Sequence, residues 1–461
     1  MFCCCRKHSL YDGAGPDLTQ RLGSHADGLL LNMPRDRILY VTPVMPQRDG
    51  NGLAMRAAFV LEALVRRFDV HLFVVPVAGD PGPPGDFVRA NAVRVGGLDL
   101  AKNLDPLFGL IARVVDPEQR ESAELAYPKP YLSRFCTGDS ARYLHEWSSG
   151  FCIGRIHVMR LYLAPLALPF LRQSPTDRPF CVLDLDDDDA RTCRRLMRLH
   201  RDLGNRRAAV VTAAEAEKYE RLADQYLRGF DRVIVCSKTD AQRLGASYPE
   251  AHFAVVPNTY DPLDAGRRLR RSDFGPLRLL FVGTFGYFPN LDAAMFLCRE
   301  VLPALRRLSD REIRIDLVGA GDTAALAGFI RNSQVRVHGF VEDLAAMYDV
   351  ADVAVVPVRA GGGTRIKILE AFAHRVPVVT TSLGAEGIDA ADGVHLLFAD
   401  DAEAFARACL QLKDTPELAD RLAAQATDLL AACYTPARIA DALAEVYANP
   451  SSGRRRLTAE H

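Results

Sequence analysis

Short apolar runs alternate with longer amphipathic stretches from about residue 36 to residue 258, and after an interruption the same alternation begins again at 277. Residues 38–42 read as a buried strand, 50–52 as a glycine turn, 53–68 as an amphipathic helix and 70–75 as a second strand, which makes a βαβ unit. The pattern continues weakly through 93–95, turns helical and proline-interrupted over 99–147, and resumes with strands at 155–158 and 180–185 separated by a helix over 161–171. Helices over 191–201 and 213–227, a strand at 232–236, the start of a helix at 240–244 and a strand at 252–256 complete the first half. Residues 261–276 are rich in Arg, Asp, Gly and Pro without periodicity and read as a linker. Beyond it come strands at 277–283, 313–318, 335–338, 353–356, 376–380 and 395–398, with helices at 290–308, 323–330 and 344–348 and two long helices at the end. Parallel strands with crossover helices in both halves predict an α/β protein of two doubly wound, Rossmann-like domains facing a cleft at their strand C-terminal ends.

The expected organisation is a disordered leader over 1–34, a first domain over 35–260, the linker over 261–276, a second domain over 277–432, a terminal helix over 433–448 and a disordered tail over 449–461. A chain of 461 residues that is 49% hydrophobic is long enough for two full cores and too apolar for general disorder. Its formal net charge of −1 argues against a dedicated nucleic-acid binder. The 11 cysteines form neither a metal signature nor a disulfide framework: Cys3, Cys4 and Cys5 are adjacent, and the others are scattered singly among apolar or helical surroundings, as reduced cytoplasmic thiols are. No stretch approaches the roughly 18–20 apolar residues that span a bilayer.

Chemistry concentrates in 355–379, VVPVRAGGGTRIKILEAFAHRVPVV. A strand runs into Gly361, Gly362, Gly363 and Thr364, then into a helix whose first turns carry Arg365, Lys367 and Glu370. Glycines let backbone N–H groups approach a ligand, a helix N-terminus carries partial positive charge, and two cations flank it, so the pattern suits a phosphate or diphosphate. Only seven lysines occur in the chain, which gives Lys367 added weight. A carboxylate at Glu370, one turn beyond Lys367, suits sugar hydroxyls better than phosphate. The GxxxxGK[ST] spacing of a P-loop is missing, which excludes the usual ATPase site. A glycine turn with an ordinary Lys–Glu surface pair remains the competing reading.

Two further patterns point elsewhere. Gly319 and Gly321 in 317–322 resemble a dinucleotide fingerprint without its last glycine, but they lie on the second strand of their domain and are explained by a tight turn beside a ligand, so NAD is not expected. Asp184, Asp186, Asp187, Asp188 and Asp189 close a strand. Such a run can hold a divalent cation; alternatively Asp188 or Asp189 caps the next helix while the others stay solvated or pair with arginines supplied by that helix. Arg191, Arg194, Arg195, Arg198 and Arg201 make one face of that helix basic, either as a solvated face or as a contact for anionic lipid headgroups or a phosphorylated acceptor at the inner face of the plasma membrane.

In order, Phe281-Val282-Gly283, Leu317-Val318-Gly319-Ala320-Gly321, His338-Gly339-Phe340-Val341, Ala351-Asp352 before Pro357, Glu370-Ala371-Phe372 and Val376-Pro377-Val378-Val379 resemble the nucleotide-binding half of GT-B glycosyltransferases of family 4 (glycosyl transferases group 1). The resemblance is strong over 277–400 and loose over 36–258; GGGTRIKILEA with Ala385-Glu386-Gly387 is similar to a GGGTRxK branch. It implies a retaining enzyme that takes a nucleotide-sugar donor. Glu370 then matches the second glutamate of the family's Glu-x7-Glu motif and receives the ribose hydroxyls, while the first falls at Gly362. The family's cations after the first strand correspond to Thr284 and to Pro289-Asn290, where no charge stands, so Arg365 and Lys367 are inferred to replace them, since a departing diphosphate still needs cations.

The resemblance further implies that Gly283, Thr284, Gly319 and Gly321 line the donor site, that Phe340 and Val341 meet the base through their backbone, and that Glu386 sits near the donor sugar. It assigns the acceptor to the first domain, with Gly50, Asn51 and Gly52 bordering the cleft and Arg56, His157 and Arg160 as candidates to touch acceptor or phosphate. The terminal helix would cross back to the first domain. No metal or other cofactor is expected: Arg365, Lys367 and the loop amides stabilise the leaving nucleoside diphosphate, whose oxygen takes the acceptor's proton on the same face. The expected partners are the nucleotide sugar and a saccharide or lipid-linked saccharide, in cell-surface or exopolysaccharide synthesis. A GT-B sugar-nucleotide epimerase and a nucleotide-binding partner without turnover are the alternatives.

Overall fold

The computed structural model describes residues 13–14, 35–79, 82–263, 275–330 and 333–448. Apart from Gly13–Ala14, which form a strand, the reading of a disordered leader lies outside these residues, as do the tail reading and most of the linker reading. The chain forms two compact units. One comprises residues 1–194, 210–256 and 439–461; the other comprises 195–209 and 257–438.

In the first unit, strands β1 (Gly13–Ala14), β2 (Arg37–Thr42), β3 (Asp69–Val74), β4 (Arg94–Gly97), β5 (Arg155–Met159), β6 (Phe180–Asp184), β7 (Arg232–Val235) and β8 (Phe253–Val255) form one sheet in the order β1-β4-β3-β2-β5-β6-β7-β8. Only β1 runs antiparallel, against β4. Leu39 lies opposite both His71 and Ile156, so β2 is central. Helices cover both faces, and Ile38, Leu39, Tyr40 and Val41 are all fully buried, which explains why the parallel strands read as continuous apolar runs rather than as alternation.

The second unit holds β9 (Leu277–Val282), β10 (Ile313–Val318), β11 (Val335–Gly339), β12 (Val353–Val356), β13 (Val378–Thr380) and β14 (Leu397–Phe398), all parallel, in the order β11-β10-β9-β12-β13-β14. This is the doubly wound order, and the direction of winding reverses between β9 and β12, where such sheets open a crevice at their strand C-terminal ends. Asp352 is structural: it accepts from Arg278 N–H (2.8 Å) and from Lys413 Nζ (2.9 Å), tying the start of β12 to β9 and to the helix Ala402–Asp414.

Several helices differ from expectation. Residues 161–167 form a 3-10 helix that contains Pro165, and only Leu168–Leu171 is α-helical, because proline cannot donate in a regular α ladder. The helix read as 213–227 begins at Arg206: Gly204, at φ +76°, ends the preceding helix and Asn205 Oδ1 caps the new one by accepting from Ala208 N–H (3.2 Å). Over 323–330 only a 3-10 turn, Ala324–Leu326, and the short α-helix Ala327–Ile330 form. Among the described residues no helix is long and apolar enough to cross a membrane.

Candidate functional site

Three loops converge at the crevice of the second unit. Gly283 N–H, after β9, donates to Val318 O (2.9 Å), Phe285 N–H to Ala320 O (2.7 Å), and Gly319 N–H, after β10, to Gly339 O (2.8 Å). Gly319 has φ +154°, and a Cβ there would stand 2.0 Å from Gly283 O; at Gly321, φ +118°, it would stand 2.4 Å from Gly286 N. These glycines are therefore required by loop-on-loop contact. The third loop, after β12, carries Gly361 at φ +115° and Gly363 at φ +69° and enters the helix Ile366–Ala373.

Lys367 reaches from that helix to the β9 loop. Its Nζ donates to Asn290 Oδ1 (2.7 Å) and lies 4.6 Å from the centre of the Phe281 ring. A Cβ at Gly283 would meet Lys367 Nζ at 2.7 Å, so a side chain there would have to displace the ammonium. Asn290 Nδ2 in turn donates to Thr284 O (3.0 Å). The ammonium thus stands beside Gly283 and Asn290, where the sequence itself carries no charge. Burial, and then the neighbouring Arg365, bring Lys367 down to about 7. Arg365 folds over its own loop, donating to Gly362 O and to Gly363 O (3.1 Å). Its Nε and the buried Thr364 Oγ1 have no hydrogen-bond partner among the described residues.

Glu370 is not half of a surface pair with Lys367. Its two oxygens accept from Tyr260 Oη (2.9 Å) and Tyr348 Oη (3.1 Å), and burial raises its pKa above the ordinary glutamate value. A carboxylate has about four lone-pair positions, so two tyrosines leave capacity for further donors. Glu386 is held by Arg195 in a bidentate pair (2.6 and 2.9 Å), and Arg195 also donates to Gly361 O (2.9 Å). Sequence reasoning saw Arg195 only as part of a basic stripe. Phe340 is 68% exposed beside the Gly339 carbonyl that receives Gly319, and Val341 is half-buried.

The residues proposed for the acceptor side lie in the first unit and divide into two kinds. Gly50, at φ +94°, Asn51 and Gly52 open the helix Gly52–Val65, with Asn51 accepting from Ala54 N–H (2.9 Å). Arg56 and His157, in contrast, have no exposed side-chain surface. Arg56 grips Asp184 (2.8 and 3.2 Å) and bonds Val256 O (3.3 Å); His157 Nδ1 bonds Tyr447 Oη (2.8 Å), with its Nε2 3.5 Å from Asp184. Both are corrected to core residues, because a side chain with no exposed surface cannot touch an acceptor. Arg160, at φ +76°, pairs with Asp186 (3.1 Å) and with Asp189.

The aspartate run is an arginine-paired turn. Asp188 Oδ1 accepts from Arg191 N–H (3.0 Å), capping the helix Asp189–Asp202, and its other oxygen takes Arg243 (2.6 Å). Its arginine partners, Arg56, Arg160 and Arg243, come from distant elements; the stripe arginines Arg194 and Arg195 pair with Glu220 and Glu386.

Residues 276–415 match the family model of glycosyl transferases group 1. An uncharacterized 44.6 kDa protein in the cps region of Klebsiella pneumoniae is 26% identical over 205 residues, 41% of this chain; the match spans half of that relative's length. Among solved structures, sucrose-phosphate synthase from Thermosynechococcus elongatus superposes with a TM-score of 0.62 at 17% identity, covering 90% of this chain and 98% of that one. Alr3699/HepE of Anabaena, in complex with UDP, superposes with a TM-score of 0.55 at 14% identity over 89% of this chain and 99% of that one. The fold is that of the GT-B glycosyltransferases.

Proposed function

With a second unit that matches group 1 glycosyltransferases and a GT-B fold, we propose that this protein is a retaining glycosyltransferase that moves a sugar from a nucleotide-sugar donor to a saccharide or lipid-linked acceptor without a metal. The observation that carries this reading is the Lys367 ammonium set against Gly283 at the point where the winding of the sheet reverses, between loops that only glycine can form. In the reaction the bond from the anomeric carbon to the diphosphate oxygen breaks, and negative charge grows on that oxygen. In this reading Lys367, Arg365 and the loop N–H groups stabilise it. The leaving oxygen accepts the acceptor's hydroxyl proton as the new glycosidic bond forms on the same face. Glu370, oriented by Tyr260 and Tyr348, receives the ribose hydroxyls. UDP in the HepE complex and the cps region of the Klebsiella relative support a nucleoside diphosphate sugar as donor and a surface polysaccharide as product class.

Thermal unfolding in the presence of UDP, GDP, ADP, CMP, dTDP and NAD, each with EDTA and with magnesium, tests the donor site, because a ligand bound only to the folded state raises the midpoint. One nucleoside diphosphate is expected to raise it, undiminished by EDTA. No shift with any of them, or a shift with NAD alone, would overturn the reading. Gly362 in place of a carboxylate favours one second reading, a nucleotide-binding partner without turnover; a shift with no nucleoside diphosphate released from its sugar across an acceptor panel would select it.

A further inference from the structure

The two tyrosines on Glu370 are themselves pinned from behind. Tyr348 is buried, and its ring stacks on His374, the C-cap of the helix that carries Glu370, with 4.4 Å between ring centres and 8° between planes. Tyr260 is fixed through its backbone: its N–H donates to Tyr434 O (3.0 Å), which also takes Thr259 Oγ1 (2.5 Å). Tyr434 is anchored in turn, its Oη accepting from Asp389 N–H (2.7 Å). All of these residues belong to the second unit. The ring of one tyrosine and the backbone of the other are thus held, which keeps each hydroxyl on its own carboxylate oxygen.

With Tyr260 Oη on Oε1 and Tyr348 Oη on Oε2, each oxygen of Glu370 has about one lone-pair position left. The two positions lie side by side on a residue that is only half-buried. A pair of neighbouring hydroxyls fills both. A single hydroxyl fills one and leaves the other desolvated by the bound ligand, which costs free energy.

Granting the donor-site reading, on which this rests, we propose that Tyr260 and Tyr348 are positioning residues that reserve one acceptor on each Glu370 oxygen for a ribose diol. The donor is then a ribonucleotide sugar, and a 2′-deoxyribonucleotide sugar is rejected. A site built to bond a hydroxyl discriminates against the analogue that lacks it, because its own group is left unpaired. Sugars carried on dTDP are therefore excluded, and those on UDP, GDP, ADP or CDP are retained. The tyrosines also act on charge. Burial raises the pKa of Glu370, while the bonds from Tyr260 and Tyr348, and then Lys367 one helical turn earlier, oppose the rise. They favour the ionised carboxylate, which only accepts and so suits two donating hydroxyls.

Calorimetric titration of the full chain with UDP, GDP, ADP and CDP, each beside its 2′-deoxy counterpart, tests the assignment. Base and diphosphate are the same within a pair, so the contributions of Lys367 and Arg365 cancel in the ratio. The ribonucleotide that binds is expected to bind about 10- to 150-fold more tightly than its 2′-deoxy form, the loss of one hydrogen bond to a charged group. Tyr260→Phe opens a second position on one oxygen and lets the carboxylate turn, so it should largely abolish that preference. It should also move the acid-side loss of ribonucleotide affinity to higher pH, because a bond that holds Glu370 down is gone; a merely structural role would leave that limb in place. Tyr348→Phe repeats the test should Tyr260→Phe fail to fold. Equal affinity for the two forms, or a preference that neither variant alters, overturns the proposal and leaves the donor reading standing, since the nucleotide still binds. Binding of no nucleoside diphosphate at all overturns the donor reading, and the ribose assignment falls with it.

Discussion

Donor affinity should fall steeply above neutral pH, and Lys367 should be the cause. In the free protein its ammonium is brought down to about 7 by burial and Arg365, whereas a bound diphosphate raises it again. About half the molecules then carry the charge at pH 7 and about one in a hundred at pH 9, and apparent affinity scales with the competent fraction. The expected loss is about fifty-fold between pH 7 and pH 9, or about 2.3 kcal/mol. Tyr260 and Tyr348 do not titrate in this window, since burial pushes both hydroxyls above their ordinary range. Calorimetry with an intact nucleotide sugar, whose diphosphate has no proton to lose in this interval, reads the loss directly. Repeating it in buffers of different ionisation enthalpy counts the proton taken up. Lys367→Met should bind about 10- to 150-fold more weakly at pH 7, the ratio expected from losing a hydrogen bond to a charged group, with a flat pH profile. The sign for folding is opposite. A lysine depressed to about 7 binds fewer protons in the folded state than in the unfolded one, so its contribution to stability rises with pH from about 7 towards 10.5, and below 7 the unliganded Lys367→Met protein should be the more stable. An unchanged affinity from pH 7 to pH 9, or Lys367→Met binding like the original protein, would refute the assignment.

Arg56→Met should cost about 3–5 kcal/mol in urea unfolding, since it leaves the Asp184 carboxylate buried without its guanidinium partner. Burial pushes Asp184 up, but Arg56 and the His157 bond pull it down further, to about 2; the stability it confers should be present above about pH 4 and disappear as pH falls through 2, as acid titration of unfolding would show. Gly319→Ala, whose Cβ would stand 2.0 Å from Gly283 O, should lower stability by about 1–3 kcal/mol and abolish the nucleotide-induced thermal shift; retention of both would mean that the two loops are free to part.

The amino-acid sequence by itself determined the alternation of strands and helices, the two α/β halves and the glycine loops. Those signals are local: a strand's burial is written in consecutive residues such as 38–41, and a turn needing positive φ selects glycine at 361 and 363. Asn205 as a helix cap was equally local, and the Gly204-Asn205 pair could have signalled it. Tertiary structure alone decided the partners. Lys367 and Asn290 lie 77 residues apart, Tyr260 and Glu370 110, Arg56 and Asp184 128, Arg195 and Glu386 191, and His157 and Tyr447 290. For this reason Arg56 and His157 could pass for cleft residues in the sequence: a strand end or a helix turn states where the backbone goes, but not whether another element closes over the side chain. The order in which parallel strands are laid side by side brings such distant residues together, and the crossover helices that set this order carry no mark of it in their own periodicity.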